Sequence, residues 1–175
     1  MDIAELLEKE SIRDLVRLYS RGVDRQDFEL LRTLYAEDGT DDHGSLYCGS
    51  AAGYVDWLQS VLPSVDITAH CIQNHLIDVR GDRGEGEVYV TAYHRVPAGD
   101  GTFIDLIEGN RYLDRYKKCA GVWRFEHRKL IRDWLTKAPT LPNWSTESNL
   151  GLKDGSDQSY QQLSMDIFRR GTDRR

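Results

Sequence analysis

Apolar positions recur every three or four residues in the first part of the chain and every two residues in the second. From Ile3 to Val23 the apolar residues include Leu7, Ile12, Leu15, Val16, Tyr19 and Val23, the last five close to one stripe, which predicts an amphipathic helix. Asp27 is placed to cap a second helix through "FELLRTLY", with Phe28, Leu31 and Tyr35 on one side. Ser50 is placed to cap a third through "AAGYVDWLQSVL", which Pro63 stops. Between these two, "AEDGTDDHGSLYCGS" is rich enough in Gly, Asp and Ser to predict a loop holding at most a short strand.

After Pro63 the period changes to two. "TAHCIQNHLIDV" and "EVYVTAYHRV" flank the glycine-rich "RGDRGEG" and predict a hairpin; "IEGNRYLDRYKK" and "VWRFEHRKLIRDW", joined by "CAG", predict another. Helices followed by strands imply an α+β domain with a mainly antiparallel sheet. Strict alternation along the first of these strands puts His70, Ile72, Asn74 and Leu76 on one face, two hydrogen-bonding groups among two apolar ones. Such a face suits the wall of a ligand pocket, where a few polar groups orient a substrate within apolar surroundings.

The length of 175 residues and 39% apolar content fit one domain with a sizeable core. Residues 1–135 carry the periodic elements, and residues 136–175, rich in Pro, Ser, Asn, Gly and Asp, read as a C-terminal extension with one short helix in "SYQQLSMDIFRR". A net charge of −6, with basic residues dispersed among acidic ones, argues against a nucleic-acid or anionic-membrane partner. No run approaches the roughly 18 apolar residues a spanning helix needs, and Met1 is followed by Asp2 and Glu5 instead of a basic and hydrophobic leader, so a cytoplasmic protein is expected. Cys48, Cys71 and Cys119 are odd in number and widely spread, which predicts reduced thiols serving as small apolar groups. Asn143-Trp144-Ser145 forms a glycosylation sequon that carries no weight without a secretory signal.

Several side chains could carry chemistry. Asp24 lies beside the apolar stripe at the end of the first helix, where it either caps the chain or requires an inward partner. His70 is the natural partner, because a neutral imidazole accepts a proton at one nitrogen when an anion holds the other. Tyr19 is either a core tyrosine or a hydroxyl donor. In "TDDHG", Asp42 and His43 sit in a polar loop that reads as a turn or as part of the site. A metal site is not predicted, since His70 and His75 alternate to opposite sides of their strand. No phosphate loop or nucleophile elbow is present, so no cofactor is expected. Arg128 and Arg132 share a face of the last strand, either toward a cavity or in surface ion pairs.

The order of these segments, from "LYSRGVDRQDFELLRTLYAEDGTDDHG" through "TAHCIQNHLIDV" to "GNRYLDRYKKCAGVWRFEHRKLIRDW", resembles the SnoaL-like branch of the nuclear transport factor 2-like superfamily. That resemblance implies a cone: a strongly curved antiparallel sheet closed by the N-terminal helices around one pocket. It is nearest to the branch's cofactor-independent lyases, which act as bile-acid 7α-dehydratase, hexachlorocyclohexane dehydrochlorinase, scytalone dehydratase and diarylpropane lyase. It implies an Asp24–His70 pair as the base, with Tyr19 at a matching tyrosine position. Tyr93 or His94 stands where the bile-acid enzyme has an aspartate, and Arg128 or Arg132 stands near its last-strand arginine. The reaction so implied is elimination, with loss of water, of halide or of formaldehyde from a hydrophobic hydroxylated aromatic or steroid-like substrate; an isomerase in the same pocket and a non-catalytic binding or assembly protein are the alternatives. Asn74, Tyr93, His94, Arg128, Asp42, His43 and Trp57 are then expected to contact that substrate, in a homo-oligomer for which a trimer is favoured.

Overall fold

The computed structural model describes residues 2–140 and 150–171. The chain enters through α1 (Ile3–Asp24), capped by the Asp2 carboxylate, which accepts from the Glu5 amide at 2.8 Å. Its stripe buries Ile12, Leu15, Val16, Tyr19 and Val23, whereas Leu7 remains 63% exposed and lies outside the core. Asp27 accepts from the Leu30 amide at 3.1 Å and starts α2 (Phe28–Leu34). The two helices approach closely at Gly22: a Cβ there would lie 2.7 Å from Leu31 Cδ2, so only glycine fits. Ser50 caps α3 (Ala51–Val61), and a single 3₁₀ turn containing Pro63 follows.

Six strands form one sheet in the order β2-β1-β6-β5-β4-β3. β3 (Ile67–Arg80), β4 (Arg83–Pro97), β5 (Phe103–Cys119) and β6 (Val122–Pro139) make the predicted antiparallel hairpins, longer than alternation suggested because the strands run into two-residue turns. β6 continues past residue 135, so the start of the C-terminal extension falls inside a strand. The expected loop after α2 is instead β1 (Tyr35–Asp42), parallel to β6, and β2 (Cys48–Ser50), antiparallel to β1. Backbone pairing with β6 overrides the turn-forming composition there.

The sheet is curved and does not close on itself. Register shifts interrupt β1, β3, β5 and β6, and such bulges bend a strand and sharpen its twist. The shift in β3 between Ile72 and His75 also corrects the strict alternation expected for that strand. Gln73 and Asn74 are both exposed, after which His75, Ile77 and Val79 take the inward positions and Leu76 turns outward. His70 and His75 therefore share a face. The cysteines are free, as anticipated, but Cys48 and Cys71 are exposed instead of acting as core groups. The sequon at Asn143 lies outside the described residues.

The concave side is filled at its narrow end by an aromatic cluster built around a buried ion pair. Arg128, with no exposed surface, places its guanidinium 4.2, 4.0 and 4.2 Å from the ring centroids of Tyr19, Tyr112 and Phe125. Its Nε and Nη2 donate to the two carboxylate oxygens of Asp114 at 2.8 and 2.7 Å, and the Tyr116 hydroxyl donates to the same carboxylate at 2.8 Å. Removing one partner strands the other charge without water. Arg128→Met is expected to cost about 3–5 kcal/mol of unfolding free energy, measured by urea denaturation. A loss below about 1 kcal/mol would show that Asp114 is stabilised by other means.

Candidate functional site

The wide end of the cone carries a second group of polar side chains, placed by strand register. His70 pairs with Ala92, which pairs with Glu108; Thr68 pairs with His94; and Val90 pairs with Asn110, opposite Arg132 on β6. Paired residues share a face, so these side chains look into the same end of the concave surface. α1 runs across them and ends at Asp24.

Asp24 is held to β3 by both of its oxygens. His70 Nδ1–H donates to Oδ1 at 2.7 Å, and the His70 backbone N–H donates to Oδ2 at 3.0 Å, with the Thr68 hydroxyl 3.5 Å from Oδ1. This fixes the tautomer: with the proton on Nδ1 directed at the carboxylate, Nε2 carries the lone pair. Nε2 makes no hydrogen bond, and His70 lines a cleft of about 340 Å³ together with Arg17, Ser20, Arg21, Asp24, Arg25 and Ile72. The two side chains retain only 8% and 15% of their exposure, so the pair works in a largely water-free setting.

His94 stands edge-on to His70, their ring centroids 5.4 Å apart. Burial, reinforced by the neighbouring His70, pushes its pKa down to about 4. His94 is thus a neutral imidazole at physiological pH. Beside it, the Glu108 carboxylate accepts from Arg132 Nε at 3.0 Å and from Asn110 Nδ2 at 3.4 Å, and Asn110 Oδ1 is a buried acceptor with no partner. Glu108 and Asn110 were not picked out from sequence. Their signal was the inward run Glu108, Asn110, Tyr112, Asp114, Tyr116, a polar and aromatic alternation on a core face.

The remaining expected residues separate from this group. Tyr19 is 1% exposed and shares a 2.7 Å hydrogen bond with the Tyr54 hydroxyl, which reaches His43 Nε2 at 3.1 Å. His43 Nδ1 is tightly bonded to Asp41, whose other oxygen accepts from Tyr35 at 2.6 Å, and Trp57 stacks on Tyr54 at 5.8 Å. Tyr19, His43 and Trp57 therefore belong to a packed network inside the cone and do not line the His70 cleft. Arg128 faces inward as one of the two alternatives allowed, yet it is committed to Asp114 and reaches no cleft. Asp42 makes an Asx turn with the Gly44 amide and an ion pair with Lys129 at 2.6 Å, a turn role. Tyr93 points to the convex side, where its hydroxyl donates to Asp105 at 2.8 Å, because it alternates with the inward His94. Asn74 is exposed at the β3 bulge.

Among the described residues no three His, Cys, Asp or Glu side chains converge as metal ligands, and no helix is long and apolar enough to cross a membrane.

Residues 4–129 match the model of the SnoaL-like domain, and the chain belongs to that family, within the nuclear transport factor 2-like superfamily. It is 27% identical over 130 residues to the uncharacterized protein Rv2910c of Mycobacterium tuberculosis, spanning 73% of this chain and 87% of that protein. Among solved structures, a putative scytalone dehydratase from Novosphingobium aromaticivorans superposes with a TM-score of 0.68 at 23% identity, covering 82% of this chain and 95% of that one. The hexachlorocyclohexane dehydrochlorinase LinA-type3 of Novosphingobium barchaimii superposes with a TM-score of 0.71 at 20% identity, covering 82% and 100%. The likeness to these two structures is one of fold.

The depressed pKa of His94 makes stability depend on pH. In the unfolded chain His94 protonates near 6.5, in the folded one near 4, so the unfolded state binds more protons between those values. Its contribution is intact above pH 6.5 and is lost progressively as pH falls toward 4. Urea unfolding across that range is expected to show the native chain losing about 2–3 kcal/mol more than His94→Asn. Parallel curves for the two would mean that His94 is freely hydrated.

Proposed function

We propose that the protein is a cofactor-independent lyase in which His70, oriented by Asp24, is the general base. The observation that carries this reading is the two-point attachment of Asp24 to His70, through Nδ1 and the backbone amide, which leaves Nε2 without a hydrogen bond among the described residues on a histidine that lines the cleft. The carboxylate holds the imidazole in the tautomer and orientation that present Nε2, and it faces the positive charge formed when a proton is taken. His94, neutral and adjacent, is the hydrogen-bond donor for the departing or developing oxygen. This replaces Tyr19, whose hydroxyl is engaged with Tyr54.

Proton abstraction from carbon leads to loss of water; abstraction from a substrate hydroxyl leads to carbon–carbon cleavage with loss of formaldehyde. A cleft of about 340 Å³ lies at the small end of the range for ligand pockets, which favours a hydroxylated substrate of one or two aromatic rings over a steroid. The reading includes self-association through the convex face, where Leu76, Tyr89, Ile107, Leu113 and Trp134 are each more than a third exposed, as a homotrimer in the cytoplasm.

Incubation with a panel of hydroxylated aromatic compounds, read by mass spectrometry, is expected to show loss of water or formaldehyde. His70→Ala and Asp24→Asn should lower that rate by roughly 10²–10⁴-fold while the circular dichroism spectrum stays native. Undiminished turnover in either variant would remove the pair from the chemistry. A product of equal mass would mark an isomerase, and an unaltered bound ligand a binding protein. Sedimentation velocity at micromolar concentration is expected to give the trimer mass, and a monomer would contradict assembly through the convex face.

A further inference from the structure

The rim of the His70 cleft is basic. Arg17 and Arg21 lie one turn apart on one face of α1, and Arg25, the residue that caps the helix after Asp24, lines the same cleft. Arg17 is neutralised by Glu10 and Asp14 at 2.7 and 2.8 Å, and Arg25 has Asp157 at 3.4 Å. Arg21 is different. Its Nη2 donates only to neutral oxygens, the Ser159 hydroxyl and the Phe168 carbonyl, each at 3.1 Å, and its guanidinium lies 4.8 Å from the Tyr160 ring centroid. No carboxylate forms an ion pair with it among the described residues. Its Nε–H is buried without a hydrogen-bond acceptor among the described residues, as is the Tyr160 hydroxyl at the same junction of α1 with the C-terminal segment.

A guanidinium that is partly desolvated, immobilised by aromatic contacts and left without a counterion is costly in the free protein and is relieved by an anion. Its position is fixed by the extension: Ser159, Tyr160 and Phe168 hold Arg21, while Asp157 flanks Arg25 and Gly171 N–H donates to Asp27 at 3.0 Å. The charge therefore stands beside the base as a permanent feature of the cleft.

We propose that Arg21, flanked by Arg25, is a carboxylate subsite, and that the substrate of the His70 cleft is an aromatic acid. The inference rests on the lyase reading only for the word substrate; the subsite itself concerns binding. With Nη2 engaged and Nε buried, Nη1 is the Arg21 nitrogen left to donate to a carboxylate, and the dyad one turn further along the helix then addresses the portion of the molecule that carries the hydroxyl.

The test uses 4-hydroxybenzoate and its uncharged analogue 4-hydroxybenzamide as probes of the full-length protein, with affinities from ligand titrations followed by NMR. The acid is expected to bind roughly 10-fold more tightly than the amide at low salt, and the preference should shrink as salt rises. Arg21→Met should bring the two probes to within about twofold. Arg21→Lys, which keeps the charge and the helix face, should retain part of the preference. Equal binding of acid and amide by the native chain, a preference that survives Arg21→Met, or a loss in Arg21→Lys as complete as in Arg21→Met would overturn the proposal. His70→Ala separates the two readings: it should abolish turnover yet keep the preference for the acid. Turnover that persists in His70→Ala alongside an intact acid preference defeats the lyase reading and leaves the subsite standing.

Discussion

A guanidinium shut off from water is the fixed point on which the cone is assembled. Arg128 cannot tolerate burial unless Asp114 on the neighbouring strand supplies a bidentate carboxylate and the surrounding rings supply their negative faces. Because one of those rings is Tyr19, the demand extends to α1 and sets where that helix lies across the sheet. Once its middle is pinned there, its last residue arrives at β3, and Asp24 meets His70. The charge at the narrow end of the molecule and the chemistry proposed for the wide end are thus two contacts of a single helix.

The inward polar groups divide into satisfied and unsatisfied sets, and that division is more informative than their number. The set around Asp41, His43, Tyr54 and Tyr19 closes on itself: each hydroxyl and ring nitrogen named there has a partner, which is how buried polar residues specify packing. The set around His70 stays open. His70 Nε2 has no hydrogen bond, Asn110 Oδ1 is unpartnered, and Arg21 lacks a counterion. Arg128 Nη1 and His75 Nδ1 are likewise buried without a hydrogen bond among the described residues, so what distinguishes His70 and Arg21 is that they line a cleft, where a ligand can complete them.

Sequence reading was strong where local physics decides. The caps at Asp27 and Ser50, the stripe from Ile12 to Val23 and the two hairpins all stand, because each follows from spacing within a few residues. The Asp24–His70 contact was legible by a different route, through the order of segments that resembles a known family. It failed where long-range pairing decides. β1 has the composition of a loop and becomes a strand because β6 offers it backbone partners, and the bulge at Gln73–Asn74 shifts the inward set from Asn74 and Leu76 to His75 and Ile77. Arg128 and Tyr93 illustrate the remaining ambiguity: alternation gives the relative face of neighbours, but which face is concave emerges only from the assembled sheet.

The parallel seam between β1 and β6 has a bearing on how the chain reaches this state. Tyr35 on β1 lies opposite Phe125, and Thr40 opposite His127, so the seam joins segments separated by most of the domain. Closing so long an intervening loop is entropically expensive and slow relative to hairpin formation. While the polypeptide is being synthesised, β1 must wait beside an unfilled edge until β6 has left the ribosome, whereas the apolar stripe of α1 meets its chief neighbours, α2 and β3, earlier. The parallel seam therefore becomes available only once the last strand of the sheet has emerged, and β1 is the strand left open longest on that side.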